Sequence, residues 1–129
     1  MAATAKETEQ ITRRINQYAE GVRDGDTAKL RDLFHPDARM WGSMLGQRYD
    51  EPVAELFKLT DSGPADVNGS YQSEIKSIEQ HDDVAFVTFV EKGIYGTVSF
   101  EDFFALARID GTWKIVNKSF IHTGGKMPA

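Results

Sequence analysis

The hydrophobic period of this chain changes near residue 70. Before that point apolar residues recur at helical spacing; after it they alternate every second residue. A chain with helices first and long alternating strands second folds as α+β, with the helices laid on one face of a sheet. Ile11, Ile15, Tyr18, Ala19 and Val22 share one face of a first helix. Thr4 and Glu7 form a capping-box pattern at its start, and Asp24-Gly25 ends it. Asp26 caps a short second helix carrying Leu30, Leu33 and Phe34, which His35-Pro36 stops. Ala38 to Tyr49 reads as two short strands broken at Gly42 and Gly46. A third helix has Asp50 as cap, Pro52 in its first turn and Val53, Leu56, Phe57 and Thr60 on one side. Four strands follow: Tyr71–Glu79, Val84–Lys92, Thr97–Ile109 and Thr112–His122, the last two joined by the hairpin signal Asp110-Gly111.

The length of 129 residues suits a single domain spanning 1–129, with an ordered core over about 5–122 and a flexible tail at 123–129. Fifteen Lys and Arg against twenty Asp and Glu leave a net charge of -5, which argues against nucleic acid or an anionic membrane as partner. There is no Cys, so no disulfide, thiolate site or Cys nucleophile. A polar Met1–Gln10 does not read as a signal peptide, and no apolar run reaches the length of a membrane span. The expected location is cytoplasmic. His35, His81 and His122 are scattered, so no metal site is expected, and with no phosphate-cradling loop no cofactor is expected either.

A strongly twisted sheet folded over the long first helix makes a cone with an open end. Three stretches carry a resemblance to a known family. They are the corner Gln17-Tyr18-Ala19-Glu20-Gly21-Val22-Arg23-Asp24-Gly25-Asp26, the strand entry Leu33-Phe34-His35-Pro36-Asp37-Ala38, and the hairpin Ile109-Asp110-Gly111-Thr112-Trp113-Lys114-Ile115. Together they resemble the nuclear transport factor 2-like superfamily, over about Glu7 to His122. Its members include ketosteroid isomerases, scytalone dehydratase, polyketide cyclases and many non-catalytic binding domains. Asp102-Phe103-Phe104-Ala105-Leu106 and Trp113-Lys114-Ile115-Val116-Asn117-Lys118 look most like the subgroup described as putative lumazine-binding proteins. The resemblance implies a cone-shaped curved antiparallel sheet packed on three N-terminal helices. The fold fixes the architecture and leaves the chemistry open. Of the three ketosteroid isomerase groups, the helix tyrosine matches Tyr18. The aspartate base falls at about Gly42 and the protonated aspartate at about Ala105, so that activity is not expected.

If Asp110 and Gly111 are the two turn residues of a regular hairpin, Ile109 faces Thr112. Phe103 then faces Lys118, Glu101 faces Phe120 and Ser99 faces His122. Matching this hairpin to ketosteroid isomerase points Glu101, Phe103, Lys118 and His122 into the cone. A slip of one residue exchanges the two faces. On this reading His122 serves as acid or base, Tyr18 as hydroxyl donor and Lys118 as anchor for an anionic or carbonyl group. Asp102 interrupts the apolar set Val98, Phe100, Phe104 and Leu106. It is a general base if that face is the pocket, and part of a polar spot in a dimer interface if it is not. Trp41, Met44 and Phe57 are expected pocket walls. A sheet apolar on both faces needs a second cover, and a homodimer through the outer face is the expected one. Three functions stay open: a domain binding a flat, largely apolar ligand, an acid/base enzyme (isomerase, dehydratase or cyclase), and a dimerisation module with a filled cone.

Overall fold

The protein is described over residues 5–126 from a computed structural model. Helix α1 spans Ala5–Asp24, so the expected cap Thr4 lies outside the described residues. Its stripe of Ile11, Ile15, Tyr18 and Val22 is buried. Gly25 ends it with φ of 69°, and an added Cβ there would meet the backbone at Gly63 and Pro64. Asp26 caps α2 (Thr27–Leu33), its side chain accepting from the Lys29 amide at 3.4 Å.

Several expected boundaries move. Phe34 is extended and begins β1 (Phe34–Met44), where the sequence spacing placed it in α2. Asp50 lies in β2 (Gln47–Pro52), paired with Trp41, because its carboxylate meets Arg39 at 2.7 Å on the neighbouring strand. α3 (Ala54–Asp61) therefore starts later, with Val53 as its cap. The second half follows as β3 (Gln72–His81), β4 (Val84–Ile94), β5 (Val98–Ile109) and β6 (Thr112–Gly124). The last strand runs two residues past the expected end of the core at 122. Met127, Pro128 and Ala129 of the expected tail lie outside the described residues.

The six strands form one curved sheet in the order β2-β1-β6-β5-β4-β3. Neighbours are antiparallel except β1 and β6, which run parallel, so the sheet is mixed. The architecture is α+β, with α1 packed against β3 and β6 and α2 against β1 and β6. One face of the sheet meets the helices. On β4 that face carries Ala85, Val87, Phe89 and Glu91, and on β5 it carries Phe100, Asp102, Phe104 and Leu106.

β6 changes sides part-way. Leu106 pairs with Ile115, but Ala105 pairs with Asn117, so Val116 is an extra residue without a partner on β5. From Thr112 to Ile115 the inward residues are odd-numbered; beyond the bulge they are Lys118, Phe120 and His122. The regular hairpin expected from Asp110-Gly111 holds near the turn and fails beyond Val116.

Candidate functional site

The concave face leaves a cavity of about 100 Å³ near Tyr18. Met40, Met44, Leu56, Ile94, Phe100 and Phe120 supply apolar wall, and Glu91, Tyr18 and Lys118 supply polar atoms. Tyr18 is 1% exposed. Its ring is held edge-on by Phe104 at 4.9 Å, Phe89 at 5.8 Å and Phe34 at 6.2 Å. Those rings point the phenol at β4, where it donates to Glu91 Oε2 at 3.0 Å. Tyr71 donates to the other oxygen, Glu91 Oε1, at 2.7 Å. Tyr71 is anchored through its own backbone amide, which donates to the Asp66 carboxylate at 2.8 Å. Burial, and then the charge of Glu91, raise both phenols above the ordinary tyrosine range, so both stay protonated donors.

Asp102 sits between Phe89 and Phe120 in the pleat and is 0% exposed. Neither of its carboxylate oxygens accepts a hydrogen bond from a described residue. Burial raises its carboxyl above the usual aspartate range, and the nearby Glu91 charge adds to this. The Lys118 charge pulls the other way. Lys118 pairs with Phe104 on β5 and Met40 on β1 and is 8% exposed. Its Nζ lies 4.0 Å from Asp102 Oδ1, with the Phe120 ring centre at 5.1 Å and the Tyr18 ring centre at 5.5 Å. An apolar cavity thus meets the Glu91 carboxyl, the Lys118 amino group and the Tyr18 phenol, with Asp102 and Tyr71 behind them. Such a set can hold a polar group, or move protons to and from it.

The structure gathers only part of the expected set. Tyr18, Met44 and Lys118 line the cavity. Asp102 lies on the same inner face, 4.0 Å from Lys118, fully buried and not itself lining the cavity. His122 is on that face at the rim, where its ring meets Phe100 at 5.6 Å and Nε2 lies 2.8 Å from the Gly125 carbonyl. Four placements are corrected. Glu101 and Phe103 face outward with the odd-numbered residues of β5, and the Val116 bulge turns Lys118 to the other face, opposite Phe104; Phe103 pairs with Ser119 and is 42% exposed. Trp41 is 43% exposed on the outer face, since Met40 takes the inward position on β1, and Arg48 stacks over its indole at 5.5 Å. Phe57 is core, edge-on to Phe34 at 6.2 Å, and does not reach the cavity.

Glu91 and Tyr71 escaped the sequence reading. The signal for Glu91 was present: it interrupts the alternate apolar set Ala85, Val87 and Phe89, just as Asp102 interrupts its own. Gly42 also gains meaning. A Cβ there would collide with the backbone carbonyl and ring of Phe120, so no acidic side chain fits where ketosteroid isomerase chemistry would need one.

The family described as "Putative lumazine-binding" matches residues 6–121. The chain belongs to this family. Its architecture is that of the nuclear transport factor 2-like superfamily. A nuclear transport factor 2-like protein of unknown function from Methylobacillus flagellatus KT is 28% identical, with a TM-score of 0.85 over 94% of this chain and 95% of that one. Another, from Shewanella baltica OS155, is 23% identical and shares the fold at a TM-score of 0.85, over 97% of this chain and 100% of the other. Aldolase FrzH from Cladobotryum sp is 26% identical over 124 residues, 91% of this chain and 92% of the relative. No helix among the described residues is long and apolar enough to cross a membrane.

Proposed function

We propose that this member of the family binds a flat, largely apolar small molecule in the cone, with the molecule's polar edge turned toward Lys118, Tyr18 and Glu91. The juxtaposition at the cavity floor carries this reading: ionisable groups sit buried beneath apolar walls that leave open volume. Burying a carboxyl and an amino group costs folding free energy, and a fold seeking only stability would place apolar side chains there. Ligand pockets combine an apolar lining with a few placed polar groups. His122 closes the rim. A thermal-shift screen with pterins, flavins, steroids and aromatic polyketides tests this. At least one class raises the melting temperature of the wild type, because a ligand of the folded state adds stability. In the Met44→Trp variant, whose indole fills the cone, that shift disappears. A set that stabilises neither protein, or both equally, overturns the reading.

A second reading has its own observation. Asp102 is buried without a hydrogen-bond acceptor role and leans toward its protonated form beside Glu91, the arrangement by which a site keeps an acid and a base apart. Tyr18 with Asp102 then acts as the acid/base pair of an enzyme. The likeness to a protein named aldolase supports a carbonyl compound as its substrate.

The outer sheet face supports a homodimer. Phe86, Phe103 and Ile121 stand on it, 51%, 42% and 47% exposed. Light scattering that finds a monomer at micromolar concentration refutes this.

A further inference from the structure

We propose that Lys118 is a nucleophile that captures an aldehyde or ketone as an imine, with Asp102 carrying the protons. This rests on the cone accepting a ligand whose polar edge is a carbonyl.

The argument starts from what Lys118 lacks. Among the described residues its nitrogen forms one ion pair, with Asp102 at 4.0 Å, which is beyond hydrogen-bond distance, and no hydrogen bond holds it. A lysine buried for structure is expected to be satisfied by close acceptors. This one instead projects between the Tyr18 and Phe120 rings into the cavity wall. Neither oxygen of Asp102 accepts a hydrogen bond from a described residue, and the side chain is sealed from solvent with the Glu91 carboxyl beside it. Asp102 thus sits behind Lys118 with the Glu91 carboxyl beside it, and Lys118 stands between Asp102 and the open volume. Passing one proton from Lys118 to Asp102 leaves both groups uncharged and the number of protons held unchanged. Burial, first among its causes, raises the Asp102 carboxyl, which suits it to take up a proton. A lysine that hands its proton to a neighbouring carboxylate in an apolar pocket is an activated nucleophile.

The step balances without an oxidant or a further reactant. Asp102 takes one proton from the Lys118 ammonium. The freed amine attacks the carbonyl carbon, a C–N bond forms, and the carbonyl oxygen takes a second proton from the nitrogen. Asp102 returns its proton to the resulting hydroxyl, the C–O bond breaks, and water leaves. The iminium nitrogen keeps the third proton and the positive charge the ammonium had, with the Asp102 carboxylate as its counter-ion.

Reductive trapping on the full chain tests the proposal. The protein is incubated with cinnamaldehyde and sodium cyanoborohydride, and the modified lysines are mapped by peptide mass spectrometry. Lys118 is expected to be labelled at least about tenfold faster than exposed Lys76, as a positioned amine gains effective concentration. Asp102→Asn should slow labelling of Lys118 by on the order of a hundredfold, the usual loss of a general acid/base, and leave Lys76 unchanged. Lys118→Arg should lose the fast label. Cinnamyl alcohol, which fills the same space and cannot form an imine, is run alongside by thermal shift. Labelling of Lys118 no faster than Lys76 overturns the proposal. If the alcohol still stabilises the wild type, the pocket reading survives that failure; if it does not, both fall. Should Lys118→Arg not fold, the wild-type rates and the Asp102→Asn rates decide.

Discussion

The two ends of the concave face are built from the same strands and behave differently. At the closed end Ala85, Val87, Leu106 and Ile115 meet Ile15 and Leu30, all buried and all apolar. At the open end the same strands present Glu91, Asp102 and Lys118 beside Tyr18. The border on β6 is the unpaired Val116. Before it the strand turns Trp113 and Ile115 inward; after it Lys118 and Phe120 point the same way. A pleat with strict alternation would have sent Asn117, Ser119 and Ile121 into the cone instead. One extra residue therefore separates a packing end from a chemical end, as bulges beside functional sites do.

Deleting Val116 breaks the comparison most severely. Every side chain from Asn117 to Gly124 changes face, which exposes Phe120 and buries Asn117 and Ser119. The expected loss exceeds the roughly 5–15 kcal/mol that holds a domain of this size together, so cooperative thermal unfolding should vanish. A variant that still melts in one sharp transition shows that the border lies elsewhere. Ile115→Ala comes next. Ile115 is fully buried at the closed end, and its truncation should cost about 2–5 kcal/mol in urea unfolding. Met44→Ala, at the open end beside existing volume, should cost clearly less. Equal costs would mean that both ends are packed alike.

This difference between the ends also explains what could be read from residues alone. Helical spacing at Ile11, Ile15 and Tyr18, the Asp24-Gly25 stop and the Asp110-Gly111 hairpin depend on local backbone rules, and they led directly to α+β. Register beyond the hairpin is not local. Whether Phe103 or Phe104 faces Lys118 depends on one unpaired residue, and a two-residue turn carries no information about a bulge farther along. A trace was there: the apolar set on β6 passes from odd positions, Trp113 and Ile115, to an even one, Phe120. Trp41 was misplaced for a related reason, since an aromatic on a strand gives no sign of its face. Glu91 is not singled out by the sequence, because a lone acid near the end of an apolar strand gives no sign of the face it takes.

Tyr18→Phe sharpens the contrast by removing one atom from the open end. The ring keeps its packing against Phe34, Phe89 and Phe104, while Glu91 Oε2 loses its donor. Leaving that buried acceptor unpaired should cost about 1–3 kcal/mol in urea unfolding. A loss below about 0.5 kcal/mol would mean that another donor already serves Glu91. Tyr71→Phe should cost less, because Tyr71 is only partly buried.

Asp102→Asn is expected to have the smallest effect near neutral pH and the most informative pH dependence. The folded state raises this carboxyl through burial and then through Glu91, so it binds the proton more tightly than the unfolded chain does. The stabilising contribution is complete below the unfolded value of about 3.9 and is lost as pH rises from there through the folded value. Asn has the same shape and does not titrate. The stability of the wild type relative to the variant should therefore fall as pH rises from about 4 toward neutrality. An ion pair acting purely as a staple predicts the opposite, a wild type that gains on the variant as Asp102 ionises toward Lys118. The slope of that difference, measured by urea unfolding across the range, decides whether the open end stores a proton or a salt bridge.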